Sequence, residues 1–196
     1  MIKSFDFFFD FISPYSYLAH KQIRIIEDKN KIKVNYMPIF LGGLHDILNI
    51  KTNALIPAKA KYMIKDCKLY AEKLKIIFKF NSYFPIKSLD LMRGVIQAEK
   101  ENKANKYIDN FFDAMWKDGL NLNNQSEINK ILISININPK KFYLNISEQI
   151  IKDELKKITN DAMLKGIFGA PSFIINNKMF WGQDRLHFVM EEAQKN

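Results

Sequence analysis

Cysteine is nearly absent: Cys67 is the single thiol in 196 residues. No intrachain disulfide and no Cys-x-x-Cys redox pair can form, which excludes a disulfide scaffold and thiol–disulfide exchange by the chain's own sulfur. Glycine and proline are scarce, at 7 and 6, while Phe and Tyr number 16 and 8. That balance excludes a low-complexity or disordered chain. Long apolar runs are missing as well. The aromatic opening from Phe5 to Phe11 is broken by Asp6 and Asp10, so it does not read as a signal peptide. No stretch of about 18 uncharged apolar residues predicts a membrane span. A cytoplasmic, reducing compartment is the expectation.

Arginine occurs only as Arg24, Arg93 and Arg185, although Lys and Arg together number 30 against 21 Asp and Glu, a formal net charge of +9. Nucleic-acid surfaces cluster Arg and Lys on one face with stacking aromatics. Here lysine is scattered among Asn and Ile. The densest stretch, Lys59–Lys79, carries Tyr62, Met63, Ile64, Leu69 and Leu74 at helical spacing and reads as a solvated helix face. No nucleic-acid partner is expected; the positive balance favours a small acidic ligand.

With 47% hydrophobic residues the chain can bury one large core or two closely packed subdomains. Ser4–Phe11 reads as a buried strand, Tyr15–Asp28 as a helix and Lys31–Phe40 as a second strand. This strand–helix–strand unit favours a parallel pair with a right-handed crossover. From about Leu41 the pattern turns helical: Pro57–Phe78, Ser88–Asn102, Ala104–Trp116, Ser126–Ser134 and Pro139–Lys165. Strand character returns at Pro171–Asn176 and Lys178–Trp181, which flank the hairpin dipeptide Asn176–Asn177. Asp184–Ala193 closes the chain as a helix. The expectation is an α/β domain formed by residues 1–45 and 147–196, interrupted by an all-helical insertion over 46–146.

Three stretches carry chemistry. Asp10-Phe11-Ile12-Ser13-Pro14-Tyr15-Ser16 sits at a strand-to-helix junction. Ser13 suits the N-cap and Pro14 the first helical turn, so the positive end of the helix points at whatever lies above Ser13. A ligand thiolate placed there would be favoured by that field and by a hydrogen bond from the Ser13 hydroxyl, and its pKa would fall. The alternative is an ordinary capped helix. In Gly166-Ile167-Phe168-Gly169-Ala170-Pro171-Ser172-Phe173, the proline suits an edge or a cis peptide. A cis Ala170–Pro171 bond would leave the N–H and C=O of Ala170 free for an extended peptide ligand; otherwise Pro171 merely starts a strand. In Phe180-Trp181-Gly182-Gln183-Asp184-Arg185-Leu186, the N–H groups of Gln183 and Asp184 could bind a carboxylate. Asp184 could accept from an α-amino group, or simply cap the last helix.

Together, Ser-Pro-Tyr-Ser-Tyr-Leu-Ala from Ser13, Gly-Ala-Pro-Ser-Phe from Gly169 and Phe-Trp-Gly-Gln-Asp-Arg-Leu from Phe180 resemble the 2-hydroxychromene-2-carboxylate isomerase family. That family is akin to the kappa-class glutathione transferases, within the DsbA-like branch of the thioredoxin superfamily. Asn53, Pro57-Ala58-Lys59-Ala60-Lys61-Tyr62-Met63 and Leu91-Met92-Arg93 add to the match, which runs over nearly the whole length. The resemblance implies a thioredoxin-like fold with a helical insertion, a homodimer, and glutathione as cofactor. Ser13 would take the place of the nucleophilic cysteine of redox relatives and hold the glutathione sulfur as thiolate. Ala170, before Pro171, would pair with the cysteinyl backbone, and Gln183 and Asp184 would hold the γ-glutamyl end. Asn53 and Lys59 would contact the substrate or the cofactor's carboxylates, and Arg185 matches in type.

The activity implied is glutathione-dependent cis–trans isomerisation of hydroxychromene-carboxylate-like aromatic catabolites. The alternatives are a kappa-like glutathione transferase acting on small electrophiles or peroxides, and non-catalytic glutathione or peptide binding. Some positions depart from the family pattern. Ala170 stands where Val is common, Thr52-Asn53 replaces Gly-Asn, and Phe180 stands where many isomerases carry a second Trp. Because the segment after Asn53 is short, Lys51 and Lys61 are alternatives to Lys59.

His20, His45 and His187 lack metal-ligand spacing, so no metal is expected. Cys67 reads as a structural thiol. Trp116 and Phe111-Phe112 fit either a helical core or a pocket wall.

Overall fold

The computed structural model describes residues 4–30 and 32–195; Lys31, the expected first residue of the second strand, lies outside them. Ser4–Phe9 forms strand β1, Pro14–Asn30 helix α1 and Lys33–Pro38 strand β2. β1 and β2 pair in parallel from Ser4↔Lys33 to Phe9↔Pro38, as the strand–helix–strand pattern predicts. Strands β3 (Ser172–Ile175) and β4 (Lys178–Trp181) complete a four-stranded sheet in the order β2-β1-β3-β4. β3 runs antiparallel to both of its neighbours. The β3–β4 hairpin turns through Asn176 and Asn177 at φ of 50° and 60°, the left-handed pair that a two-residue turn of this kind requires.

Strand period decides which face of β1 meets which core. Phe5, Phe7 and Phe9, followed by Phe11, join the larger core, whereas Phe8 turns to the opposite face against Ile39, Leu44, Ala162 and Ile167. Phe7 stacks on Phe9 at 5.3 Å and on Phe173 of β3 at 5.5 Å. Each Phe buried in this way contributes about 1.5–3 kcal/mol, so the sheet is apolar on both sides although its edges are short.

The strand stops at Phe9, two residues before the aromatic pattern does. The Asp10 carboxylate takes the N–H of Ile12 at 3.1 Å and the Asp10 carbonyl takes the N–H of Ser13 at 3.1 Å, which folds the chain into a turn.

Between β2 and β3 the chain is helical: α2 (Leu41–Ile47), α3 (Pro57–Leu74), α4 (Leu89–Lys100), α5 (Ala104–Asp113), α6 (Gln125–Ser134), α7 (Pro139–Ile146) and α8 (Gln149–Leu164), with α9 (Leu186–Gln194) after the hairpin. Of the differences from the sequence reading, four have a plain local reason. The single helix expected over Pro139–Lys165 is two, because the Ser147 hydroxyl donates to the Tyr143 and Leu144 carbonyls and Glu148 is extended. A serine that bonds its own backbone competes with helix propagation. α3 ends at Leu74, where Lys75 turns left-handed at φ 55°, and the following chain is drawn to the segment after α5 by Lys79 N–H to Trp116 O. α5 gives way at Ala114 to a π-helical turn over Ala114–Asp118. α2 escapes the pattern altogether, since Gly42 and Gly43 depress helix propensity; both lie against the Phe40 ring, with no room for a side chain at Gly43.

Trp116, Phe111 and Phe112 are fully buried and belong to the core, which settles the open choice against a pocket wall. Trp116 donates its indole N–H to the Phe11 carbonyl at 2.8 Å, tying the helical segment to the end of β1. The lysines of α3 at 59, 61, 65, 68 and 73 are exposed, as a solvated face requires. Among the described residues no helix is long and apolar enough to cross a membrane.

Candidate active site

The end of β1 delivers Ser13 to the start of α1, where it caps the helix. Its Oγ accepts the Ser16 N–H at 3.1 Å, and its carbonyl accepts the Tyr17 N–H at 3.2 Å. Pro14, which has no N–H to leave unpaired, opens the helix. Ser13 is only 5% exposed. Its hydroxyl donates to the carbonyl of Ala170 at 2.9 Å, a contact between residues 157 positions apart. The Ala170–Pro171 peptide is cis, as is Phe84–Pro85, which the sequence reading did not anticipate. Pro171 opens the interior strand β3, not an edge strand. The Ala170 carbonyl is therefore not free, contrary to the sequence expectation. It holds the Ser13 hydroxyl, and any ligand atom that takes this hydrogen must take it from Ala170.

The third stretch lies beside the second. Gly182 donates its N–H to the Pro171 carbonyl at 3.0 Å and sits at φ 104°, and a Cβ there would lie 2.6 Å from Asp184 Oδ1. Only glycine fits both the backbone conformation and the contact. Gln183 is buried and accepts from Gln22 Nε2 of α1 at 3.2 Å. Asp184 does not cap the last helix: neither the short 3-10 turn Gln183–Arg185 nor α9 receives a side-chain cap, and α9 begins at Leu186. The Asp184 carboxylate instead pairs with Arg185 at 2.6 Å on the surface. Replacing Gly182 by alanine is expected to cost about 1–3 kcal/mol in stability and to displace Asp184. Urea unfolding checks the first effect, and an unchanged midpoint would refute the packing described.

Helix α3 closes one side. Tyr15, next to Pro14, donates its hydroxyl to Asp66 Oδ2 at 2.9 Å, and burial with the neighbouring Cys67 and Asp66 holds the phenol above its usual range. Tyr70 is an electrostatic neighbour of Asp184, Asp66 and Arg185. Cys67 is buried, and desolvation plus Asp66 push its thiol up to about 12, so it is no nucleophile. On the other side, burial pulls the His45 imidazole of α2 down, against a hydrogen bond with the Phe168 main chain. Phe168 packs on Trp181 with ring centroids 4.9 Å apart, and Gly169 lies so close to Trp181 Nε1 that a Cβ would stand 2.8 Å away.

The structure thus brings together Ser13, Ala170, Pro171, Gln183, Asp184 and Arg185. No hydrogen bond or ion pair among the described residues ties Asn53 or Lys59 to them. Asn53 opens the 3-10 turn Asn53–Leu55, Lys59 lies in the first turn of α3, and both are exposed, as are Lys51 and Lys61. No hydrogen bond or ion pair among the described residues distinguishes one of these lysines. His20, in α1, is a core residue with Nε2 2.8 Å from Asp109 Oδ1, and His187 lies in α9 against Phe188.

One residue that organises the site escaped the sequence reading as a functional position. Asp10 is a fully buried carboxylate at the end of an aromatic strand, where an interior position filled by an acid was the available signal.

A thioredoxin-like sheet with a helical insertion, a helix start capped by a serine hydroxyl and a cis-proline loop facing it define the class of this molecule. The chain belongs to the DSBA-like thioredoxin domain family, whose profile matches residues 4–194. Among curated proteins it is 26% identical to a 2-hydroxychromene-2-carboxylate isomerase of Sphingobium xenophagum over 96% of this chain and 97% of that one. It is 25% identical to the protein of the same name from Pseudomonas putida, over 96% and 92%. It is also 23% identical to glutathione S-transferase kappa 1 of Caenorhabditis elegans, over 97% and 90%. A solved 2-hydroxychromene-2-carboxylate isomerase structure superposes with a TM-score of 0.88 at 23% identity, covering 96% of this chain and 93% of the other. That likeness bears out the fold expected from the sequence.

Proposed function

We propose that the protein is a glutathione-dependent cis–trans isomerase acting on aromatic carboxylates of the 2-hydroxychromene-2-carboxylate type. The observation that carries this reading is the Ser13 hydroxyl 2.9 Å from the Ala170 carbonyl, at the capped start of a 17-residue helix. The names of the curated relatives support it. The residues present fit a thiol tripeptide. Ser16 Oγ is buried at the same helix start and has no hydrogen-bond partner among the described residues. Asp184 and Arg185 put both charges at the surface end of the site, where an amino acid's carboxylate and ammonium could be matched.

When bound, glutathione supplies a thiolate that adds reversibly to an electron-poor carbon and leaves again, so that rotation is free while a double bond is lost. The chain's part is electrostatic and geometric. The Ser13 hydroxyl turns from the Ala170 carbonyl to donate to the sulfur, and the α1 dipole favours the anion. Each unit by which the thiol pKa falls is worth about 1.4 kcal/mol of preference for thiolate. A fall of one to two units from about 8.5 ionises much of the thiol at neutral pH. Released from Ser13, the Ala170 carbonyl becomes an acceptor for a main-chain N–H of the ligand, which couples docking to activation. Gln183 and Asp184 hold the γ-glutamyl end, Arg185 balances Asp184, and Asn53 with one of Lys51, Lys59 or Lys61 supplies cationic and amide support for carboxylates. Two copies of the chain form the working unit in this reading.

Adding glutathione to the protein at neutral pH is expected to raise thiolate absorbance, and turnover of a hydroxychromene carboxylate is expected to leave product mass unchanged. A product heavier by one glutathione would replace isomerisation with the transferase chemistry named in the kappa relatives. Binding without a thiolate signal would reduce the protein to a passive binder, and no binding would end the proposal.

A further inference from the structure

Asp10 stands at 0% exposure where three elements meet. Its Oδ1 accepts the N–H of Ile12 at 3.1 Å. Its Oδ2 accepts the N–H of Leu41 at 2.9 Å and the hydroxyl of Ser88 at 3.0 Å, while its carbonyl accepts the N–H of Ser13 at 3.1 Å. Ile12 and Ser13 form the turn that carries the Ser13 hydroxyl, Leu41 opens α2, and Ser88 precedes α4. We propose that Asp10 is a positioning residue for Ser13: its ionised carboxylate clamps the β1–α1 turn between α2 and α4 so that the hydroxyl is held on the Ala170 carbonyl, and its protonation loosens that turn. The consequence for catalysis rests on the role proposed for Ser13; the clamp itself does not.

Hydrogen-bond inventory makes the clamp specific to the anion. An ionised carboxylate only accepts, and three donors converge on it. A proton on Oδ1 displaces the Ile12 N–H. A proton on Oδ2 can be received only by the Ser88 oxygen, and it weakens Oδ2 as an acceptor for Leu41. Asparagine has the same shape but places a donor where an acceptor is needed. Every group that meets the carboxylate, from the turn, from α2 and from α4, is neutral, and no charged side chain among the described residues acts on it. Burial pushes the carboxyl up to about 6, with the bonds from Ile12, Leu41 and Ser88 working against that rise. The change between the two forms is thus within reach of mild acid.

The test begins on the ligand-free protein. The backbone amide resonances of Ile12, Ser13 and Leu41 are followed by NMR through a pH range bracketing 6. They are expected to move together with one midpoint. Ser88→Ala removes a bond to the charged form and is expected to raise that midpoint, whereas Asp10→Asn is expected to abolish it. With glutathione and substrate, kcat is expected to show, below the limb set by ionisation of the bound thiol, a second acid limb at the same midpoint, which moves with Ser88→Ala and is absent in Asp10→Asn. Asp10→Asn should also lower kcat by about tenfold to a hundredfold at every pH, the size of effect a misplaced group produces. Amides that do not titrate, or a midpoint that Ser88→Ala leaves in place, would overturn the proposal. If Asp10→Asn does not fold, the Ser88→Ala shift decides. Amides that titrate in a protein that fails to bind glutathione would refute the functional reading alone and leave the clamp standing.

Discussion

Replacing Ser13 by alanine is expected to lower turnover with glutathione by roughly 10²–10³-fold while leaving a folded protein, the effect of deleting one preorganised donor to a developing or bound anion. Two consequences of the substitution can be separated. The helix loses its cap, because Ser16 N–H no longer has Ser13 Oγ at 3.1 Å, at a cost of about 1 kcal/mol in stability. The ligand sulfur loses its hydroxyl donor, and its pKa returns toward that of a free thiol. The first effect appears in urea unfolding, and the second in thiolate absorbance and in the pH dependence of kcat. Ser13→Thr keeps both the cap and the donor and should retain most of the ionisation. If Ser13→Ala left thiolate absorbance and turnover as they are in the parent protein, the assignment of Ser13 would be wrong.

Gly94→Ala is expected to produce the largest loss of stability from the smallest change. In an exposed helix interior, alanine is more favourable than glycine by up to about 1 kcal/mol. Gly94 lies in α4 and is buried, and its Cβ would overlap the Tyr107 hydroxyl and stand 2.7 Å from Phe142 Cζ. Tyr107 cannot yield easily. It is wholly buried, it donates to the Leu91 carbonyl at 3.1 Å, and it packs on Phe111 with centroids 4.3 Å apart. Overpacking of this kind costs about 1–3 kcal/mol or more, so the net change is a loss near the top of that range. For a chain of this size each kcal/mol moves Tm by about 2–4 °C. Thermal and urea unfolding are expected to show a Tm lower by roughly 5–12 °C and a lower urea midpoint at constant slope. An equal or higher midpoint would show that α4, α5 and α7 are less tightly packed than described.

What could be read from the chain alone follows from which interactions are local. The aromatic strand and the Asn176–Asn177 hairpin rest on residues within a few positions of one another, and the parallel β1–β2 pair on two strands joined by a single helix; all are present, although β1 ends two residues early. So is the Ser13 cap. The long helix over Pro139–Lys165 was misread because periodicity averages over Ser147, whose bonds to Tyr143 and Leu144 end α7. α2 was missed because two glycines mask a helix that packs by contact with Phe40 and the second core. The site was legible as three separate stretches, but not as a hydrogen bond between Ser13 and Ala170, since nothing in either stretch states that the other is near. Asp10 shows the same limit. Its partners lie 31 and 78 residues away, at Leu41 and Ser88, and only the fold puts three donors around one carboxylate.

The placement of Cys67 bears on how such a protein would fare under chemical stress. Its sulfur is shut away in α3 and protonated at neutral pH, so hydrogen peroxide and thiol-alkylating reagents meet no reactive thiolate on the polypeptide. A catalyst that draws its sulfur from the surrounding pool, as proposed here, is not inactivated when that sulfur is oxidised. The damaged molecule diffuses away, and the rate is set by how much of the pool remains reduced.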